Sequence, residues 1–141
     1  MQVNPFIKIA VAIIINDKNQ LLTVQKFGST YYQLPGGKIE ANEKPIDSLL
    51  RELNEELNLQ FQEDDCQFMA VHEAQAVNEQ GKTVRGFIFK IKLNNELSDL
   101  KVQAELKELL WLDTTAIADV KLANLLKQFA LPIWLEDNSG N

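Results

Sequence analysis

The sequence predicts an α/β (α+β) fold: one mixed β-sheet with helices packed on it, in a single domain over residues 1–141. Three features carry that expectation. β-branched and aromatic residues gather in runs of strand length at 7–15, 21–26, 66–76 and 82–93, separated by turn-forming segments. Residues 45–57 place their leucines at helical spacing. A chain of 141 residues can bury one real core but not two.

The first run, IKIAVAIII (7–15), is far too short to span a membrane, lacks a positively charged leader and runs directly into NDKNQ. It reads as a buried strand, with LLTVQK (21–26) as its hairpin partner. A loop with Gly28 and Tyr31 leads to YQLPGG. Pro45 then suits the first turn of a helix over 45–57, where its missing N–H has no partner to lose. Asp47 is favoured near the positive helix end, whereas Lys44 is a poor N-cap. Two strands follow, CQFMAVHEAQA (66–76) and KTVRGFIFKIKL (82–93), with NEQG as their hairpin turn. A short strand near 109–113, LLWLD, precedes a second helix over about 115–130 that Pro132 is expected to end. The tail EDNSGN is expected to fray.

A net charge of −6 argues against a protein that tracks a nucleic-acid backbone, which needs clustered Lys and Arg. It allows a small phosphorylated ligand if a cation screens the repulsion. With no spanning segment, no membrane partner is expected and the expected location is cytoplasmic. The single cysteine, Cys66, excludes an internal disulfide and reads as a small buried residue. His72 has no second His or Cys nearby, which argues against zinc. GSTYY lacks the lysine of a phosphate-binding P-loop.

The helix poses an electrostatic problem. Ile46, Leu49, Leu50, Leu53 and Leu57 form its apolar stripe, and Glu52 and Glu56 face the same way at the stripe's edge. Glu52, Glu55 and Glu56 crowd the end where the dipole is negative, each at a cost of roughly 0.3–1 kcal/mol. Arg51 offsets part of this through Glu55, four residues on. By itself such a run reads as a solvated acidic face. The PGG just upstream favours another reading: glycines let backbone approach a ligand, and a carbonyl can join carboxylates as hard oxygen ligands for Mg²⁺ or Mn²⁺.

Gly37, five residues, Glu43, seven residues and then RELNEELNL (51–59) resemble the Nudix box, G-x5-E-x7-R-E-U-x-E-E-x-G-U with U aliphatic. One fixed position differs: Asn58 stands where the family has glycine, and asparagine is the next-best residue for a left-handed helix end. The resemblance implies a Nudix-type α/β/α sandwich and a Mg²⁺-dependent hydrolase, with Mn²⁺ as the alternative ion. Its substrate would be a nucleoside diphosphate linked to another group. Glu52, Glu55 and Glu56 would be metal ligands, Glu52 and Glu56 acting in catalysis as well, and the Gly36 carbonyl a further ligand. Glu43 and Arg51 would form a structural ion pair, Lys38 would lie near the substrate phosphates, and Glu40 is either part of the site or merely solvated. A general base from outside the helix would be Glu105, with Glu108 as its rival.

On the same resemblance, Asn124 would contact a purine base; its alternative reading is a capping or surface asparagine. The partner expected is a small-molecule nucleotide, with a homodimer left open. Tyr31, Tyr32, Phe87 and Phe89 are either stacking residues or core. Three functions remain in play: a MutT-type pyrophosphohydrolase of a (modified) nucleoside triphosphate, an ADP-ribose, nucleotide-sugar or dinucleotide pyrophosphatase, and a non-catalytic nucleotide-binding domain. The absence of a proline between Pro45 and Pro132 weighs against the ADP-ribose type.

Overall fold

A computed structural model describes residues 6–139 except 78, 94–96 and 98, with side chains undescribed at 137–139. Strand β1 (Phe6–Ile15) is the axis of the sheet. It runs parallel to β5 (Thr83–Lys92) along its whole length. Strand β4 (Cys66–Gln75) pairs antiparallel with β5 and forms one edge, and β6 (Leu106–Leu112) pairs antiparallel with β2 (Leu21–Lys26) and forms the other.

Alternation along β1 assigns the two faces. Ala10, Ala12 and Ile14 pack with Leu49, Leu53 and Leu57 of helix α1 (Pro45–Leu57), while Val11 and Ile13 pack with Leu122, Leu125, Leu126 and Trp134. The sheet is therefore covered on both sides, the expected α/β/α sandwich. No helix among the described residues is long and apolar enough to cross a membrane.

The expected β1–β2 hairpin is present only at its base, where Ile15 faces Leu21. Beyond that pair the strands part. The free edge of β1 is taken instead by β3 (Gly36–Lys38), which pairs with Ile9, Ala10 and Val11. The loop between them returns to β2 at a single bridge, Val24 to Gln33. This splay makes the wedge in which the candidate site lies.

Several expectations need correction. β6 begins at Leu106, not near 109, so Glu108 lies inside the strand; its pairing with β2 supplies order that its polar start does not advertise. The helix expected over 115–130 is broken into a 3-10 turn (Thr114–Asp119), an extended stretch and a helical segment starting at 124. Pro132 does not end that segment. A π turn (Leu126–Ala130), closed by the Leu131 N–H on the Leu126 carbonyl, comes just before Pro132. The wider turn accommodates a residue without an N–H, and helix α2 (Leu131–Ser139) continues through the start of the expected frayed tail. Residues 140–141 of that tail and Asn78 of the NEQG turn lie outside the described residues. Cys66 is half-buried rather than buried, with burial pushing its thiol up to about 11. Of the aromatics left open, Phe89 is core, while Phe87 and Tyr32 are partly buried against the two clusters.

Candidate active site

Helix α1 starts and stops as its sequence implies. Pro45 sits in the first turn, Lys44 makes no side-chain cap, and Asn58 adopts φ 58°, ψ 38°, with its N–H on the Asn54 carbonyl. The Leu59 N–H reaches back to the Leu53 carbonyl at 3.1 Å, completing a left-handed helix end that asparagine tolerates in place of glycine.

Arg51 is the hub of the acidic cluster. Its Nε donates to Glu43 Oε2 at 2.8 Å and its Nη2 to Glu43 Oε1 at 3.0 Å, a two-point pair that joins the loop to the helix. Its Nη1 donates to Glu52 at 2.9 Å and to Glu55 at 3.4 Å, and Nη2 also reaches the Lys38 carbonyl at 3.2 Å. Glu40 stands 3.8 Å from Arg51, at the rim of this group. The hydrogen bonds from Arg51 hold the Glu43 carboxyl down at about 2. Glu52 and Glu56 shift the other way. Burial is the larger cause for both, and for Glu56, only 4% exposed, the Glu52 charge adds to it and its carboxyl stands at about 7.

The PGG segment is shaped around these groups. Gly36 has φ +142°, and a Cβ there would fall 2.1 Å from the Ala10 carbonyl oxygen. A Cβ on Gly37 would fall 2.3 Å from the Glu52 carboxyl carbon, so the Glu52 carboxyl fills the space glycine leaves. The Ala12 N–H bonds the Pro35 carbonyl and the Ile39 N–H bonds the Lys8 carbonyl, each at 3.0 Å. Antiparallel alternation therefore leaves the Gly36 carbonyl out of the β1 ladder.

Two adjoining hollows open in the wedge and share Lys26, Gln33, Gly37, Lys38 and Glu79. The polar one, about 510 Å³, is lined also by Glu52, Glu105 and Phe27. The other, about 140 Å³, is walled by apolar residues such as Val11, Leu34, Val84 and Leu125, with Gly36 and Asn124 on its lining. Asn124 begins the C-terminal helical segment and donates Nδ2 to the Gln75 carbonyl at 2.8 Å.

The structure thus brings Glu52, Glu105, Lys38, Gly36 and Asn124 onto one cleft, while Glu56 lines neither hollow and is buried within range of the Glu52, Lys26 and Glu105 charges. Glu55 does not line the cleft; it is half-exposed on Arg51. Glu108 is held by the Tyr32 hydroxyl, whose proton that carboxylate retains above its ordinary pKa. Among the described residues, no three of His, Cys, Asp and Glu form a ready-made metal group. Arg51 instead takes oxygens of Glu52 and Glu55. Glu56, however, forms no ion pair among the described residues, and its buried carboxyl keeps its proton up to about 7.

Lys26 is a site residue that sequence reasoning missed. Its Nζ lies 3.7 Å from Glu105, and its charge eases the ionisation of Glu52 and Glu56. It follows a register shift between Gln25 and Lys26 in the β2–β6 ladder. The only local signal is a lysine closing a buried strand.

Comparison with known proteins agrees with this architecture. Residues 6–130 match the model of the NUDIX domain, and the chain belongs to that family. An RNA pyrophosphohydrolase of Ruthia magnifica subsp. Calyptogena magnifica is 44% identical over 50 residues, which are 36% of this chain and 28% of that protein. The match therefore spans under a third of that relative. Among solved structures, a MutT protein of Methanosarcina mazei Go1 superposes with TM-score 0.72 at 19% identity, covering 99% of both chains. A bifunctional NMN adenylyltransferase/ADP ribose pyrophosphatase of Francisella tularensis, complexed with AMP and a Mn ion, gives TM-score 0.76 at 19% identity over 97% of this chain and 43% of that one. At these identities the likeness to solved structures is one of fold.

Proposed function

We propose that residues 1–141 act as one Nudix hydrolase domain that cleaves a phosphoanhydride bond of a nucleotide with the help of a divalent cation. The observation that carries this reading is the cleft itself. Carboxylates (Glu52 and Glu105) and lysines (Lys26 and Lys38) share its polar part, and an apolar hollow with Asn124 adjoins it. Phosphates suit the first part and a planar base the second.

Glu52, Glu55, Glu56 and the Gly36 carbonyl would hold Mg²⁺ or Mn²⁺, an all-oxygen set that suits either ion. The bound cation supplies charge neutralisation of the diphosphate and a lower pKa for water. Lys38 and Lys26 meet the remaining phosphate charge. Glu105, exposed and lining the polar hollow, takes the proton of the attacking water as general base. The water oxygen bonds phosphorus, the bridging P–O bond breaks, and its electron pair leaves on the departing phosphate. Asn124 orients a purine through its amide, and the likeness to MutT-type enzymes makes a (modified) nucleoside triphosphate the first substrate to try.

A second reading, a dinucleotide or nucleotide-sugar pyrophosphatase, draws on Phe27. The residue is 68% exposed and lines the polar hollow, where its ring can stack on a planar group beyond the phosphates. The test is a substrate panel with Mg²⁺ and with Mn²⁺: nucleoside triphosphates, ADP-ribose, dinucleoside polyphosphates and a 5′-triphosphorylated RNA, with products identified. Hydrolysis of a phosphoanhydride that falls at least 100-fold in Glu56→Gln supports the proposal. Tight nucleotide binding without hydrolysis under either ion would establish a non-catalytic binding domain instead.

A further inference from the structure

The last carbonyls of a helix have no partners within it, and in α1 they are met by a segment far along the chain. The Lys101 N–H donates to the Leu57 carbonyl at 3.0 Å and the Gln103 N–H to the Glu56 carbonyl at 2.9 Å. The Gln103 side chain completes the set: its Nε2 donates to the Glu55 carbonyl at 3.0 Å and to the Asn54 carbonyl at 3.3 Å. Asn58 returns the contact, its Nδ2 donating to the Asp99 carbonyl at 3.0 Å. One segment thus caps the helix end that carries the carboxylate cluster.

That segment turns at once toward the cleft. The Leu106 N–H bonds the Gln103 carbonyl at 3.1 Å, with Ala104 at φ +54° inside the turn, and Glu105 follows. On the far side, the Phe27 N–H donates to the Glu105 carbonyl at 3.1 Å and Lys26 holds its carboxylate. Glu105 is therefore fixed between the end of β2 and a turn whose other end is anchored to α1 by Gln103.

We infer that Gln103 is a positioning residue: by bonding the Asn54, Glu55 and Glu56 carbonyls, it sets where Glu105 stands relative to Glu52 and Glu56. The inference rests on the reading of Glu105 as general base. A primary amide suits the task because its two protons can serve two carbonyls; a carboxylate would add a repelling charge and a shorter side chain could not reach both.

The test is a double-mutant cycle joined to amide exchange. In the metal-free protein, Gln103→Ala should speed hydrogen exchange at the Phe27 amide at least tenfold and leave the amides pairing β1 with β5 unchanged. With the best substrate, Gln103→Ala should lower kcat about tenfold at a KM within twofold, and add less than a further twofold in the Glu105→Gln background. Equal losses in both backgrounds, or unaltered exchange at Phe27, would overturn the inference. Full activity in Glu105→Gln would sink the general-base reading and Gln103's part in turnover with it, while the exchange result would still judge the positioning. Should Gln103→Ala not fold, Gln103→Asn keeps the main-chain bonds and loses the reach to both carbonyls, and the same outcomes apply.

Discussion

Glu56 gives the sharpest physical test of the site, because its charge state couples to folding. The carboxyl stands at about 7 in the folded protein against an ordinary 4.5, and the residue is only 4% exposed. Below pH 4.5 both folded and unfolded chains carry the proton; above it the unfolded chain releases its proton first. Stability from this group is thus fully present below 4.5 and is lost as pH rises through 7. The loss between pH 5 and 8 comes to about 2–3 kcal/mol, or about 5–10 °C in melting temperature for a domain of this size. Glu52 acts in the same direction, while Glu43, held at about 2, acts below this window. Comparing the protein with Glu56→Gln therefore isolates the one group. Denaturant titrations in EDTA at pH 5 and pH 8 should show the variant losing about 2–3 kcal/mol less than the parent. Equal pH slopes in the two proteins would refute the account of Glu56 as a buried, uncompensated acid.

Other substitutions follow from single contacts. Gly37→Ala puts a Cβ 2.3 Å from the Glu52 carboxyl carbon, so that carboxyl must move; Mn²⁺ affinity by calorimetry should fall at least tenfold while the protein still folds. Asn124→Ala should raise KM for a purine substrate about tenfold at nearly constant kcat, the value of one or two neutral hydrogen bonds; an unchanged KM would return Asn124 to a purely structural role. Asn58→Gly relieves φ 58° but deletes the bond from Asn58 Nδ2 to the Asp99 carbonyl, so the two effects should offset and stability in a denaturant titration should change by less than about 1 kcal/mol.

The parts of this fold that could be read from the chain are those in which neighbours in sequence do the specifying. Alternation from Ala10 to Ile14 divides β1 between two cores, and Leu49, Leu53 and Leu57 recur at the helical period. Asn58 after Leu57 signals a left-handed helix end, and Glu43 with Arg51 gives the ion pair. The rest depends on contacts distant in sequence. Gly36–Lys38 has neither strand propensity nor a side-chain pattern, and is a strand because β1 offers it an open edge. Lys26 reads as a solvated lysine until the β2–β6 register shift sets it beside Glu105. Nothing near Gln103 announces that its amide will cap a helix more than 40 positions earlier. Pro132 misled because a proline stops a regular α-helix, whereas here a π turn precedes it.

These long-range contacts resolve the electrostatic difficulty in the helix. Carboxylates at its negative end are opposed by about 0.3–1 kcal/mol each, and no basic residue occupies its last turn. Arg51, from within the helix, holds Glu43, Glu52 and Glu55; donors on Lys101 and Gln103 meet the terminal carbonyls whose partial charges make up the dipole. Of these carboxylates only Glu56 makes no ion pair among the described residues, and burial outweighs the Lys26 charge so that its proton is held up to about 7. A scaffold balanced in this way is expected to fold without the divalent ion, unlike a small zinc domain that is unfolded without its metal. The ion has one deficit to fill, at Glu56. Its binding should therefore release a proton near neutral pH and leave the far-ultraviolet circular dichroism unchanged, whereas a metal-induced gain of helix would mean that the helix end is not held by Gln103 and Arg51 as described.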